Sequence, residues 1–289
     1  MSSRPVTLSD LFLQHGLYLR NWSRRTVRTY RQGLNSLAKV VGEGVPVKAQ
    51  LESWVMEMRE HGLTPGGCNM YIRTINSYLS WLHEQGHLNE RLRMKLLKAP
   101  THVLTLLSPQ DIKALLTFRP SSATTRRTWT LILLLLDTGI RIDEALGIER
   151  ERVRLDDLLL IVMGKGAKER MVPFSREIRQ RLFRLLSVER SQRPEGRLLF
   201  ATRTGRRLSY RNAYRDIQTL CRRVGIRTRV HPHLLRHCFA AYYMQRGGEI
   251  YRLSRILGHT SVSTTQIYLR SMGIEQLRDD HDTLTPLAG

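Results

Sequence analysis

Apolar residues recur every three or four positions through most of the first 86 residues, and this spacing constrains the fold more than any other feature. It predicts four amphipathic helices, at 7–20, 24–41, 47–61 and 64–86. Gly62 and Gly86 mark the ends of the last two, and Thr64 followed by Pro65 is typical of a helix start. Because the connections are short, we expect the four helices to pack as a small bundle.

The rest of the chain predicts a mixed architecture. Residues 126–138 are strongly apolar and predict a buried central helix, while 158–163 and 169–174 predict two strands joined by a glycine-containing hairpin. Further helices are predicted near 175–190, 209–224, 233–246, 249–257 and 262–270. The predicted fold class is therefore mainly α with a small antiparallel sheet (α+β).

A segment without a clear apolar stripe separates these two patterns. It spans 88–107, contains four basic residues and Pro100, and is followed by Ser108-Pro109, which is typical of a helix start. The predicted organisation is a helical domain at 1–87, a linker at 88–107 and a second domain at 108–289 that ends in a C-terminal tail.

The charge balance predicts a polyanionic partner. Lys and Arg number 47 against 25 Asp and Glu, a formal net charge of +22, and 40 of the basic residues are Arg. Residues 1–100 hold 14 basic and 7 acidic residues, and the remainder holds 33 and 18, so we expect the polyanion to touch both parts. The second predicted helix carries four arginines that could contact phosphates or simply form a solvated helix face, and the sequence favours neither interpretation: Arg24, Arg25, Arg28 and Arg31.

Other features narrow the class of protein. The apolar run 131–136 is far shorter than the ~18 residues that span a bilayer, and the N-terminus lacks a basic then apolar secretory pattern. The three widely spaced cysteines fit a reducing interior rather than a disulfide framework or a four-cysteine zinc site. We therefore expect a cytoplasmic protein without a membrane partner.

The histidine-rich segment 231–237 supports two interpretations. His233 and His237 are four residues apart, which is the spacing of zinc ligands on a helix, and His231 lies nearby. Arg236 stands between them, however, and a guanidinium repels a divalent cation. An arginine and an imidazole from one helical turn suit a phosphate better.

Each of the remaining candidate site residues, taken alone, has an ordinary structural explanation. Arg141 follows a glycine turn and is expected to pair with an acid such as Glu144, and Lys165 at a hairpin tip is ordinarily solvated. His259 follows a glycine in a turn, and a lone tyrosine such as Tyr268 is usually a packing residue. No phosphate-binding GxxxxGK[ST] loop, GxSxG elbow or cluster of carboxylates suited to magnesium is present.

Taken together, these residues resemble the active site of the tyrosine recombinases, the phage integrase and Xer family. The order Arg, Lys, His-x-x-Arg, His, Tyr occurs here as TGIRIDEAL, GKGAKER, HPHLLRH and LGHTSVSTTQIY. The matching positions are Arg141, Lys165, His233, Arg236, His259 and Tyr268. The first 100 residues resemble the family's helical core-binding domain more weakly, through Thr26 and Tyr30.

The resemblance implies transesterification at a DNA phosphodiester without a cofactor or a metal ion. Tyr268 would form a 3′-phosphotyrosyl link, and Arg141, Arg236 and His259 would stabilise charge on the non-bridging oxygens. Lys165 would protonate the leaving 5′-oxygen, and His233 would accept or orient the Tyr268 proton.

The resemblance also implies double-stranded DNA as partner and four protomers, a homo-tetramer, on two sites. Strand exchange would pass through a Holliday junction, with a second recombinase as a further possible partner. A short helix at 274–277 would pack on a neighbouring protomer, or the tail would simply fray. The biological use would be integration of a bacterial mobile element or replicon resolution.

Two other functions remain open at this point. A type IB topoisomerase shares the tyrosine chemistry but relaxes DNA without exchanging partners. A DNA-binding regulator could keep the fold without the reaction, although it would not need Tyr268 together with Lys165.

Overall fold

The computed structural model describes residues 6–42, 44–100, 105–164, 168–192, 196–259, 261 and 265. The chain forms two compact units, Met1–His102 and Val103–Gly289, and the break between them falls inside the segment 88–107.

The first unit is a four-helix bundle, as the apolar spacing predicts. Its helices are α1 (Leu8–Tyr18), α2 (Arg24–Val41), α3 (Lys48–Glu60) and α4 (Pro65–Glu84). The side chains of Thr7, Ser23 and Thr64 cap three of the helix starts by accepting backbone N–H bonds. The buried core is built from the apolar stripes, including Phe12, Leu34, Leu37, Trp54, Ile72, Ile75 and Leu79.

An irregular segment packs along this bundle. Asn69 exchanges two hydrogen bonds with the backbone of Leu97, at 2.9 and 2.8 Å, and Asn76 does the same with Met94, at 2.9 Å each. The two asparagines lie seven residues apart on α4 and therefore on one face of it. Much of the segment predicted to be a linker is thus bound to the first unit.

The second unit contains seven α-helices, a 3₁₀ helix at Arg150–Arg152 and a three-stranded sheet in its described residues. The helices are α5 (Pro109–Thr117), α6 (Ala123–Thr138), α7 (Ile142–Ala145), α8 (Arg176–Gln192), α9 (Tyr210–Arg223), α10 (Pro232–Gln245) and α11 (Ile250–Leu257). The antiparallel strands β1 (Val153–Arg154), β2 (Leu159–Met163) and β3 (Glu169–Pro173) lie in that order. The predicted fold class is confirmed.

The central helix α6 positions the start of the candidate site. Its apolar residues are buried, and it packs against α8, α9 and α10. Gly139 ends the helix in the left-handed conformation, with φ of 62°. A Cβ at this position would lie 2.2 Å from Cδ1 of Phe239 and 2.8 Å from Cδ2 of Leu257, so only glycine fits between α10 and α11.

The predicted helix at 262–270 and the tail helix at 274–277 lie outside the described residues. The two-residue strand β1 was not predicted. All three cysteines are buried and unpaired. No helix in the described ranges is long and apolar enough to cross a membrane.

Candidate active site

Arg141 enters the site from the turn that follows α6. It is the N-cap residue of α7, and its own N–H and its Nη1 both donate to the Glu144 carboxylate, at 2.8 and 3.1 Å. The predicted pairing with Glu144 is therefore confirmed. Nη1 also approaches the carbonyl oxygen of Leu257 at 3.4 Å, yet 40% of the Arg141 side chain remains exposed. The guanidinium is thus held from one side and open on the other.

Arg236 is buried at the centre of the site. It lies on α10 and is only 5% exposed. Its Nη1 donates to the Gly139 carbonyl at 2.7 Å, and its Nη2 donates to the Leu257 carbonyl at 2.9 Å. The same Nη2 lies 2.8 Å from Nε2 of His259. Arg236 therefore joins the end of α6 to the end of α11.

His259 has a defined tautomer. A guanidinium has no acceptor, so Nε2 must accept from Arg236 and the ring proton must lie on Nδ1, which donates to Oγ1 of Thr265 at 2.8 Å. Burial, together with the positive charges of Arg236, Arg141 and Arg170, lowers the pKa of His259 to about 4. His259 is therefore neutral at physiological pH and orients the Arg236 guanidinium.

Glu144 is the buried carboxylate of this cluster. It is 8% exposed and accepts from Arg141 and Arg170. Burial alone would raise the pKa of the carboxyl, but the hydrogen bonds from the two arginines outweigh it and the pKa lies below its usual value. Three guanidinium groups thus meet one carboxylate and a neutral imidazole, which leaves a net positive site suited to an anion.

The histidine segment does not form a metal centre in the described structure. His231 caps α10, since its Nδ1 accepts the Leu234 N–H at 3.1 Å, and His233 is exposed. Across the described ranges, no three His, Cys, Asp or Glu side chains come together in a way that could hold a metal ion. The positive charges of Arg236, Arg141 and Arg170 around His259 favour the anion interpretation.

The structure brings together three of the six predicted site residues, Arg141, Arg236 and His259. His233 lies three residues before Arg236 on α10, at the exposed surface. Lys165 and Tyr268 lie outside the described residues.

Two residues of the site were missed by sequence reasoning. Arg170 carries a signal in the strand pattern: Glu169, Met171 and Pro173 are exposed while Arg170 and Val172 face inward. An arginine on the inward face of a strand indicates a buried partner. Thr265, which is fully buried and bonded to His259, has no comparable local signal.

The first unit offers a separate basic surface. The four arginines of α2 are all exposed, which fits both interpretations given for them: Arg24, Arg25, Arg28 and Arg31. Thr26 bonds the cap residue Ser23, and Tyr30 stacks on Trp22 with ring centroids 4.2 Å apart. Thr26 and Tyr30 therefore stabilise the local structure at the start of α2.

Comparison with known proteins agrees with this geometry. The model of the phage integrase family matches residues 105–273. The tyrosine recombinase XerC of Salmonella typhi is 28% identical over 285 residues, covering 96% of this chain and 95% of that protein. Two solved structures are similar in fold. The Tn1549 transposon integrase in complex with transposon right-end DNA aligns with a TM-score of 0.79 and 18% identity, covering 96% of this chain and 99% of that chain. The XerH site-specific recombinase bound to a palindromic difH substrate aligns with a TM-score of 0.74 and 20% identity, covering 94% of this chain and 84% of that chain.

The family model covers more than half of the chain, and it spans all six residues singled out from the sequence. The chain belongs to the phage integrase family and is a site-specific tyrosine recombinase.

Proposed function

We propose that this chain cuts and rejoins double-stranded DNA in the bacterial cytoplasm through a 3′-phosphotyrosyl intermediate on Tyr268. The observation that carries the proposal is that Arg141 and Arg236 both approach the Leu257 carbonyl, while His259 bonds the same guanidinium nitrogen of Arg236. These residues come from three separate parts of the chain, and their common chemistry is recognition of an anion.

The two arginines supply the charge that phosphoryl transfer requires. In the transition state, negative charge grows on the non-bridging oxygens, and guanidinium groups bind such oxygens with fixed donor geometry. The Arg141 side chain is 40% exposed, and Arg236 is buried and bonded to the carbonyls of Gly139 and Leu257. Permanently charged arginines can take the part that Mg²⁺ takes in other phosphoryl transfer enzymes.

His259 responds to the substrate in this scheme. It is neutral because positive charges surround it, so a phosphodiester anion placed against it raises its pKa and favours the imidazolium form. In the imidazolium form Nδ1 keeps its bond to Thr265, while Nε2 gives up the hydrogen bond from Arg236 and donates towards the phosphate.

Lys165 and His233 complete the proton transfers. Lysine can lose its proton when it is desolvated, whereas arginine cannot, so Lys165 is the acid for the leaving 5′-oxygen. His233 is exposed on the same helix as Arg236, and it receives or orients the hydroxyl proton of Tyr268.

We further propose that four protomers act on two DNA sites and pass through a Holliday junction, for a mobile element or for replicon resolution. The full-length similarity to XerC and the fold similarity to a transposon integrase support these two uses. Sequencing of the DNA that the protein binds in cells distinguishes them, because sites at element ends indicate integration and a single replicon site indicates resolution.

The nucleophile can be tested on the DNA site found in this way. Tyr268→Phe removes one hydroxyl and little contact area, so DNA binding stays near wild type while the covalent adduct with a nicked suicide substrate is lost. Tyr251→Phe is the matched control, because Tyr251 is 65% exposed on α11. An adduct formed by Tyr268→Phe contradicts the assignment, and DNA relaxation by the wild type without recombinant product indicates a topoisomerase.

A further inference from the structure

Arg170 is a partly buried charged residue that contacts the site without being one of the six predicted residues. Each of its side-chain nitrogens has a protein partner. Nη1 and Nη2 donate to the two carboxylate oxygens of Glu144 at 2.9 Å each, and Nε donates to the carbonyl of Ile256 at 3.1 Å. The side chain is 16% exposed, so its contacts are inside the protein rather than with DNA.

These contacts connect three separate segments. Arg170 belongs to β3, Glu144 belongs to α7 and holds Arg141, and Ile256 lies in the last turn of α11, directly before the Leu257 carbonyl that both site arginines approach. Both oxygens of Glu144 are shared, because each one accepts from Arg170 and from Arg141. One planar guanidinium therefore fixes the positions of the other groups relative to each other.

The turn at Gly258, directly before His259, packs closely against the Arg170 guanidinium. Gly258 has φ of 64°, and a Cβ built on it would lie 2.9 Å from both Cζ and Nε of Arg170. The backbone of the turn thus lies directly against the flat guanidinium, where even a methyl group would force a shift. An ammonium group cannot bind two carboxylate oxygens and a carbonyl in one plane.

We propose that Arg170 is a positioning residue of the recombination reaction, which holds Glu144 with Arg141 and the turn with His259 in the geometry needed for phosphoryl transfer. The inference rests on the proposed function, since this geometry matters for rate only if these residues act on a phosphodiester. It assigns Arg170 no contact with the DNA.

The test compares Arg170→Lys and Arg170→Gln with Arg152→Gln. Arg152 is the matched control because it also bonds a glutamate, Glu169 of β3 at 2.6 Å, in an ion pair that is more exposed than the pair of Arg170 and Glu144. The measurement is the single-turnover rate of covalent adduct formation on the nicked substrate, together with DNA affinity. Displacement of catalytic groups by about 1 Å costs on the order of 10²-fold in rate, so we expect both Arg170 variants to lose about that much with affinity nearly unchanged.

A second readout does not depend on cleavage. Arg170→Lys keeps the positive charge near His259, so a change in the ¹⁵N resonances of the His259 ring reports altered position or tautomer rather than lost charge. We expect this change in Arg170→Lys and not in Arg152→Gln. This variant also keeps the test valid if Arg170→Gln fails to fold.

The possible failures are distinguishable. If wild type forms no adduct on its own bound DNA, the proposed function is wrong, and the His259 resonances still decide whether Arg170 positions the turn. If wild type forms the adduct and Arg170→Lys matches Arg152→Gln in both rate and resonances, the positioning role alone is wrong.

Discussion

At the residue scale, Arg236 is oriented in part by three neutral groups: two backbone carbonyls and the imidazole of His259. Neutral partners fix the direction of a guanidinium without cancelling its charge. Arg141 and Arg170 instead share the carboxylate of Glu144. The site therefore contains a buried arginine with a fixed orientation, Arg236, and a solvent-exposed arginine, Arg141, whose charge Glu144 partly neutralises. Such preorganised donors can bind an anion.

The low pKa of His259 predicts a dependence of stability on pH. The pKa is about 4 in the folded chain against 6.5 for an ordinary histidine, so the unfolded chain binds the proton more readily. The free energy of unfolding should therefore fall as pH decreases from about 6.5 towards 4, and His259→Gln should show a smaller fall. Urea unfolding at several pH values measures this. An equal fall in both proteins would place the titrating group elsewhere.

The acid role proposed for Lys165 predicts a chemical rescue. Lys165→Ala should slow cleavage by ~10²–10⁴-fold, the usual loss for a general acid, and leave DNA binding nearly unchanged. A substrate with sulfur at the 5′-bridging position leaves as a thiolate and hardly needs a proton, so the variant should cleave it at close to the wild-type rate.

Two controls accompany this rescue. Arg141→Ala should not be rescued, because the action proposed for Arg141 is on the non-bridging oxygens, which the sulfur does not replace. Lys168→Ala measures general loss of charge, since Lys168 is exposed on the same hairpin. Equal defects at Lys165 and Lys168 without rescue would mean that the hairpin only holds DNA.

At the scale of elements, the glycine between α6 and α7 determines how the site is assembled. Gly139 has positive φ, its carbonyl receives Arg236, and its Cα lies against Phe239 and Leu257. A side chain at this position would push α10 and α11 away from the end of α6. The turn thus couples helix termination to the position of the buried arginine.

This coupling predicts the effect of Gly139→Ala. Positive φ costs alanine about 1 kcal/mol, and an added methyl in a packed core costs a further ~1–3 kcal/mol. Gly205→Ala is the matched control, because Gly205 has φ of 79° and nothing within 4 Å of an added Cβ. Thermal unfolding should show the larger loss for Gly139→Ala, with slower cleavage as well. Equal losses would mean that the contact with α10 and α11 relaxes without cost.

The helices and strands could be predicted from the sequence where the pattern that encodes them is local. Apolar stripes and capping residues such as Ser23 and Ser108 predict the long helices to within a few residues, because both act within one or two turns, but the four-residue helix α7 was not predicted. The strand β1 has only two residues and depends on pairing with β2, which no local pattern encodes. The alternation of β3 marks Arg170 as inward-facing together with Val172, but its partner Glu144 lies 26 residues away on another element, so no local pattern identifies the pair.

At the scale of the whole molecule, positive charge is spread over both units, with 14 basic against 7 acidic residues before position 101 and 33 against 18 after it. Contacts with phosphates release counterions, so DNA affinity gained in this way weakens steeply with salt. The charge therefore accounts for binding, while the choice of site must come from contacts with bases or from DNA shape.

The boundary between the units is set by packing rather than by helix ends. After α4, four apolar residues cover the bundle, namely Leu88, Leu92, Met94 and Leu97. The side chains of Asn69 and Asn76 add four hydrogen bonds to the backbone of the same segment. The first unit is therefore complete only when it includes this segment, although no helix or strand continues there.

This packing predicts different stabilities for two fragments of the chain. Residues 1–102 should unfold cooperatively, whereas 1–87 should melt at a clearly lower temperature, because it exposes the covered apolar surface and loses four hydrogen bonds worth about 1 kcal/mol each. Asn69→Ala in the longer fragment should reproduce part of this loss, while Asn35→Ala, at an exposed position of α2, should not. Circular dichroism during heating measures all four proteins. If 1–87 and 1–102 melt at the same temperature, the segment after α4 contributes nothing to the first unit and acts as a linker.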